Sequence, residues 1–421
     1  MNYKREVIGD KIGFSTIIDE KFNTCSVFFR FVTQQSEETA SVNTLAGGLM
    51  MMTNSKYKTT AEISNALAEL YGAVIGSDVK KVGDAQLIDL YASWICNRFA
   101  LENENITAEM TAILHDCIFS PDIENGGFNS KVFEIAKRDL LDTINSQLND
   151  KSAYAMSQAN QIAFRGEPSG VQPFGTVEQV ESLTPEQAFD AYKALLETTQ
   201  IEIFYVLPEE DDTLINMFRE SFAKINRNPS ECTIIGRSKP KEVPERVEEE
   251  FDVNQSKMVL IFKSQSDDVF ALSLFNVIFG GSPVSKLFRN VREKMSLCYY
   301  CSSRYSSEKN FIAVESGVDR NNIEKVYDEI MHQLDEMKQG NITDEEIQSA
   351  LLALDNIYSA SGEIPSQWAS WYFKRLCTND IMTPQEYYKN FLDVTKERLQ
   401  NAASSFILDS SYYMLNKESV E

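Results

Sequence analysis

Two stretches of this chain, 211 positions apart, follow the same local plan, and that repetition limits the possible folds more than any other feature. Thr184, Glu186, Ala188 and Ala191 correspond to Thr395, Glu397, Leu399 and Ala402. In both places a threonine opens a helix-period segment that runs on into a short apolar strand: LTPEQAFDAYKALL leads to IEIFYVL, and VTKERLQNAASS leads to FILDSSYYML. Between the two lies NPSECTIIGRSKPKEVPERVEEE, from Asn228 to Glu250, with three prolines, dense mixed charge and no apolar period. That composition reads as a linker. A chain of 421 residues is also too long for one hydrophobic core. The expectation is an α+β protein of two duplicated domains, residues 1–228 and 251–421, joined by 229–250.

Local patterns fill in the plan. Phe14 to Ile18 and Cys25 to Val32 are rich in β-branched and aromatic residues and read as strands. TTAEISNALAELYGA reads as a helix, with a capping box from Thr59 and Glu62, an apolar face of Ile63, Ala66, Leu67 and Leu70, and a stop at Gly72. Further helices are expected around Glu109–Ile118 and Ser130–Leu148, and at Thr184, where Pro185 takes the first helical position. The second half repeats the order: strand KMVLIF, helices Asp268–Phe279 and Val284–Lys294, further strands, then helices Ile323–Lys338 and Glu345–Tyr358. No glycine-rich phosphate loop follows any strand. Several strands alternate with period two, which favours a mostly antiparallel, half-exposed sheet in each domain, packed with helices.

Charge and cysteine usage narrow the function classes. A net charge of −23 disfavours nucleic acid and anionic membrane surfaces, both of which attract excess Lys and Arg. It favours a basic peptide or basic partner face, or serves solubility alone. The N-terminus lacks an uninterrupted apolar core, and no run of about 18 apolar residues occurs. Seven scattered cysteines fit a reduced cytosol. Cys298 and Cys301 make a C-x-x-C inside the strand-like LCYYCSSRY, where alternation puts them on opposite faces and prevents convergence. Cys25, Cys96, Cys232 and Cys377 have no nearby histidine to activate them, Cys117 lies two residues after His115 and is read as equally unactivated, and no G-x-S-x-G marks a serine nucleophile. The consecutive Met50, Met51 and Met52 read as packing.

Two regions are similar to the pitrilysin/insulinase family of zinc peptidases, which includes the mitochondrial processing peptidase. FGGSPVSKLFRNVREKMSLCYY, Phe279 to Tyr300, resembles the family's glycine-rich turn, helix and R-E-K-x-x-L-x-Y stretch. NTLAGGLMMMTNSKYKTTAEISNALAELYGA, Asn43 to Ala73, resembles the segment that begins with the family's inverted zinc motif, His-x-x-Glu-His. GTVEQVESLTPEQAFDAY also fits the end of the family's first half. In this register Asn43, Ala46 and Gly47 stand where the family has His, Glu and His. No shift restores the motif, because the only histidines are His115 and His332. Glu134 falls near the family's third ligand but reads here as a solvated helix carboxylate, and one carboxylate makes no zinc site.

The resemblance implies a particular division of labour. Active members carry an Arg and a Tyr seven residues apart in the second half, which bind the substrate backbone and support the transition state; Arg292 and Tyr299 match them. A guanidinium and a phenol can both donate to a developing oxyanion. The expected role is therefore a non-catalytic, zinc-less subunit that holds no metal itself. It pairs with a homologous zinc-bearing subunit, completes a peptide-binding chamber and lends Arg292 and Tyr299 to the partner's zinc site. Peptide is the expected substrate, with no nucleic acid and no membrane, in the bacterial cytoplasm; a homodimer is one possible form of the isolated chain, whose oligomeric state the sequence leaves open. The rival expectation is an inactive scaffold or binding protein with no hydrolytic role, as in the core subunits of respiratory complex III.

Overall fold

The computed structural model describes residues 1–417. The first half of the chain runs β1 (Asn2–Gly9), β2 (Ile12–Ile18), β3 (Thr24–Gln34), α1 (Ala40–Met50), α2 (Thr60–Glu69), β4 (Val74–Val82), β5 (Ala85–Ile95), α3 (Ile106–Phe119), a small β6 (Ile123–Glu124) and β7 (Gly127–Phe128), α4 (Ser130–Ser146), α5 (Lys151–Ala163), α6 (Val177–Ser182), α7 (Pro185–Thr198), β8 (Gln200–Leu207) and α8 (Thr213–Phe222). The second half runs β9 (Glu245–Phe251), β10 (Ser256–Ser264), α9 (Val269–Phe279), β11 (Cys298–Ser306), β12 (Phe311–Val318), α10 (Ile323–Lys338), α11 (Asp344–Ser359), α12 (Pro365–Thr378), α13 (Pro384–Lys389), α14 (Lys396–Ser405) and β13 (Phe406–Asn416). Several ends match the capping signals. Thr59 and Glu62 form a complete capping box, as do Thr184 and Gln187 with Pro185 at the first turn. Gly72 takes φ +74°, where a side chain would be strained.

The chain forms two compact units, and each is α+β. The first comprises residues 1–145, 171–234 and 362–380; the second comprises 146–170, 235–361 and 381–421, described here to 417. The first unit's sheet has the order β1-β2-β8-β3-β5-β4, and the second's has β9-β13-β10-β12-β11. The two orders superimpose once β1 is set aside. The strand that ends each repeat, β8 or β13, lies inside its sheet, parallel to β2 or β9 and antiparallel to β3 or β10. All other pairings are antiparallel. The edge strand β4 therefore occupies the same place in its sheet as β11.

The strands are more deeply buried than their alternation suggests. In β8, Ile201, Ile203, Tyr205 and Leu207 face one core, whereas Phe204 and Val206 face another. The first core is covered by α1, α3, α4, α7 and α8 of the same half. The other is closed by α12, whose Trp368, Ala369, Tyr372 and Phe373 pack on Ile17, Val32, Leu87 and Val206. In the second unit, Ala155, Ala159 and Ile162 of α5 pack on Val259, Ile261, Tyr412 and Met414. Each sheet is thus covered on its second face by a helix from the other half of the sequence. Arg30 is carried into the first unit's core, where its guanidinium bonds both Asp89 oxygens at 3.1 Å and the Ala369 carbonyl of α12 at 3.2 Å. The last residues of the charged stretch, from Glu245 on, join Phe251 in the edge strand β9.

Candidate functional site

The zinc-motif register lies on α1, and its residues are packed as core. Asn43 is 6% exposed and its amide donates to Gln86 Oε1 at 3.2 Å. Gln86 in turn donates to the Ala40 and Pro173 carbonyls at 2.9 and 2.8 Å and to Thr44 Oγ1 at 3.2 Å. Ala46 is fully buried. Gly47 lies flat on β5, so that an added Cβ would come within 2.3 Å of Ile88 Cγ2. Glu134 is exposed on α4. A primary amide tied to a neighbouring amide, a methyl and a bare Cα offer no imidazole or thiolate donors, so these residues do not fit zinc. Among the described residues no group of three or more His, Cys, Asp and Glu is placed to hold a metal ion.

A cleft of about 470 Å³ remains between α1, β4 and α4. Thr44, Ser77, Asp78, Asp139 and Thr143 give it hydroxyls and carboxylates, and Met51 and Met52 give it an apolar lining. Neither histidine reaches it. His115, on α3, meets Ser221 Oγ through Nε2 at 2.8 Å, and its ring lies tilted against Phe119 with centres 5.0 Å apart. His332 is exposed on α10.

The second-half motif is built on irregular backbone. At the end of α9, Gly280 and Gly281 both direct their N–H groups to the Asn276 carbonyl. A Cβ on Gly280 would fall 2.8 Å from Ser303 N, so close backbone approach accounts for this glycine and no anion is needed. The helix expected over 284–294 winds as a π-helix from Phe288 to Lys294. Such wide turns are rare and concentrate at functional sites. Arg292 is exposed on it, its guanidinium 4.7 Å from the Phe288 ring centre. Ser296 then turns with φ +50°, a strained value for a side chain-bearing residue.

A β-bulge follows at once. Cys298 pairs with Val318, but Tyr300 already pairs with Gly317, so Tyr299 is the extra residue with no partner opposite. Bulges re-aim side chains and are common beside active sites. Tyr299 is 64% exposed. Tyr300 lies on the β11 face with Lys257, whose ammonium is 5.0 Å from its ring centre, and its hydroxyl meets Ser152 Oγ at 3.2 Å. Arg292 and Tyr299 thus sit on one short segment, each exposed and each on a distorted turn.

The bulge also overturns the expectation for Cys298 and Cys301. Cys298 stands opposite Val318 and Cys301 opposite Ser316, two residues apart on β12, so both thiols share one face. The Cys298 thiol is lowered to about 7, chiefly by hydrogen bonding to Cys301, with help from the Ser316 hydroxyl and the Arg292 charge against the cost of burial. Cys301, 3% exposed, is raised by the same partner and by burial. Elsewhere burial pushes Cys117 and Cys232 up to about 11 and raises Cys25 and Cys96. Nothing in the sequence LCYYC marks a bulge, so alternation was the only signal available.

Comparison with known proteins places this geometry. Residues 182–354, which include Arg292 and Tyr299, match the family model described as the peptidase M16 inactive domain. The chain is 25% identical over 431 aligned positions to the probable inactive metalloprotease YmfF of Bacillus subtilis, covering 99% of both chains. Among solved structures it is similar to a conserved protein from Enterococcus faecalis, at 27% identity, a TM-score of 0.92 and full coverage of both chains. A peptidase M16 inactive domain from Pseudomonas fluorescens shares the fold at 14% identity and a TM-score of 0.80, again over both full lengths.

Proposed function

The chain is a homologue of the pitrilysin/insulinase peptidases without their His-x-x-Glu-His motif, and from that premise we propose that it is the non-catalytic half of a two-chain peptidase. In this reading a homologous partner supplies the metal, the water and the general base. This chain completes the peptide-binding chamber and contributes Arg292 and Tyr299. One contrast carries the reading. The zinc-motif positions Asn43, Ala46 and Gly47 have been filled in as core, whereas Arg292 and Tyr299 stay exposed on a π-turn and a β-bulge. An irregular backbone costs stability, of order 1–3 kcal/mol for each strained residue, and such strain persists where the surrounding structure holds it for a function.

The substrate in this reading is a peptide. The excess of negative charge and the cleft carboxylates Asp78 and Asp139 favour basic or amphipathic sequences. The protein would work in the cytoplasm. No helix among the described residues is long and apolar enough to cross a membrane.

The test is reconstitution. The purified chain is mixed with a homologue from the same organism that carries His-x-x-Glu-His, and cleavage of a peptide library is followed. Cleavage that needs both chains, and that falls about 10²–10³-fold with Arg292→Ala, is the expected result. Tyr299→Phe should lower the rate while leaving complex formation intact. If Arg292→Ala leaves the rate of the mixture unchanged, the shared site is wrong. If no partner yields any hydrolysis, the protein is a scaffold.

A further inference from the structure

Besides the exposed arginine and tyrosine, the segment 288–301 holds a second arrangement that the peptidase reading does not use. On a regular strand, residues three apart point to opposite faces. The extra residue at Tyr299 cancels that offset, so Cys298 and Cys301 stand over β12 like residues two apart. Two residues of extended strand span about 6.6 Å. That lies at the upper end of the roughly 4.4–6.8 Å over which a disulfide joins two Cα atoms. A bond here would need a small inward shift of the bulge and would be readily reduced, as for disulfides held near their geometric limit. The two thiols also differ in access: Cys298 is half-buried and Cys301 is enclosed. An accessible thiol beside a shielded one is the arrangement of an attacking and a resolving cysteine.

We propose that Cys298 and Cys301 form a redox-active dithiol, in which Cys298 attacks small disulfides of the glutathione class and Cys301 resolves the adduct. In the first step the Cys298 thiolate attacks one sulfur of the disulfide; that S–S bond breaks and one small thiolate leaves. In the second, the Cys301 thiol gives up its proton and attacks the Cys298 sulfur, releasing the second small thiolate. The protein loses two electrons and two protons, and the small disulfide is reduced to two thiols. Arg292, beside Cys298, supports the negative sulfur before attack, in line with the lowered thiol. The crosslink would fasten the bulge that carries Tyr299, and it would remove the thiolate whose charge Arg292 favours. Thiol oxidation would therefore act on the two residues assigned to peptide binding.

The experiment uses the full chain alone, so its outcome is independent of any partner or hydrolysis. The protein is equilibrated in graded ratios of oxidised to reduced glutathione, free thiols are alkylated, and peptides are mapped by mass spectrometry. The expected product is an internal Cys298–Cys301 disulfide, formed while Cys25, Cys96, Cys117 and Cys232 remain free. Under limiting reagent near neutral pH, Cys298 should react about fiftyfold faster than Cys117 or Cys232, after discounting the lower intrinsic nucleophilicity of a more acidic thiol. Cys301→Ser should trap glutathione on Cys298, and Arg292→Gln should slow that adduct. The wild-type map needs no variant to fold. If it shows no 298–301 crosslink at any ratio, or if Cys298 reacts no faster than Cys117 and Cys232, the proposal is overturned.

Discussion

Gly47 lies so close to Ile88 that a single added carbon would come within 2.3 Å of the isoleucine methyl. In the matching register an active relative carries a zinc-binding histidine there. The mismatch with zinc therefore goes beyond missing ligands, because Ile88 on the strand beneath α1 occupies the space that a side chain at this position would need.

Restoring the motif should accordingly fail. The triple variant Asn43→His, Ala46→Glu and Gly47→His places three larger side chains against Gln86 and Ile88. Overpacking of this kind costs about 1–3 kcal/mol. The expected outcome is a lower urea midpoint and less than stoichiometric zinc by elemental analysis. Full zinc loading at an unchanged midpoint would show that α1 can lift off β5.

The Arg30–Asp89 pair makes a second prediction. Both side chains are nearly enclosed, the guanidinium lies 5.4 Å from the Phe204 ring centre and 4.9 Å from that of Phe373, and Lys80 also reaches Asp89. Asp89→Ala leaves a buried cation without its partner and should cost about 3–5 kcal/mol in denaturant unfolding. Replacing both residues with apolar ones of similar volume should restore most of that stability. Equal losses in the single and double variants would count against the pairing as the cause.

A third prediction concerns acid. Asp268 caps α9 through the Ala271 N–H at 3.1 Å and accepts two bonds of 2.7 Å from Arg398. The arginine, and then the cap, hold its carboxyl below the usual range. A folded-state value below the unfolded one gives stability that is complete above about pH 4 and lost as the pH falls through the folded value. Asp268→Asn should therefore be less stable than wild type at neutral pH, and the gap should close in acid. The pair is partly exposed, so its own share should stay under about 1 kcal/mol. A gap that persists unchanged at pH 2 would assign the effect to packing.

Local signals in the sequence located much of this architecture. The Thr59–Glu62 box, the Thr184–Pro185 start and the Thr184/Thr395 correspondence all mark real helix starts, and the repeated ending emerges as β8 and β13 in matching sheet positions. These features depend on residues close in sequence, where periodicity and capping speak directly. Burial on both faces of β8 was not legible, because the covering residues Trp368 and Phe373 lie more than 160 positions away. The π-turn at Phe288–Lys294 and the bulge at Tyr299 were equally hidden. Both depend on how the chain leaves Gly280 and meets β12, and neither has a residue signature of its own. The shared face of Cys298 and Cys301 is invisible to strand alternation for that reason.

The reciprocal covering of the sheets by α5 and α12 has a consequence for dissection. A cut anywhere between Asn228 and Pro244 looks harmless, since no regular element is broken. Yet the N-terminal fragment would leave without Trp368, Tyr372 and Phe373, and would carry away the helix that shields Val259 and Tyr412. Each product would present a bare apolar sheet to water, a surface that drives aggregation. Neither half of the sequence therefore carries a complete core of its own, and a cut at the charged stretch separates each sheet from its cover.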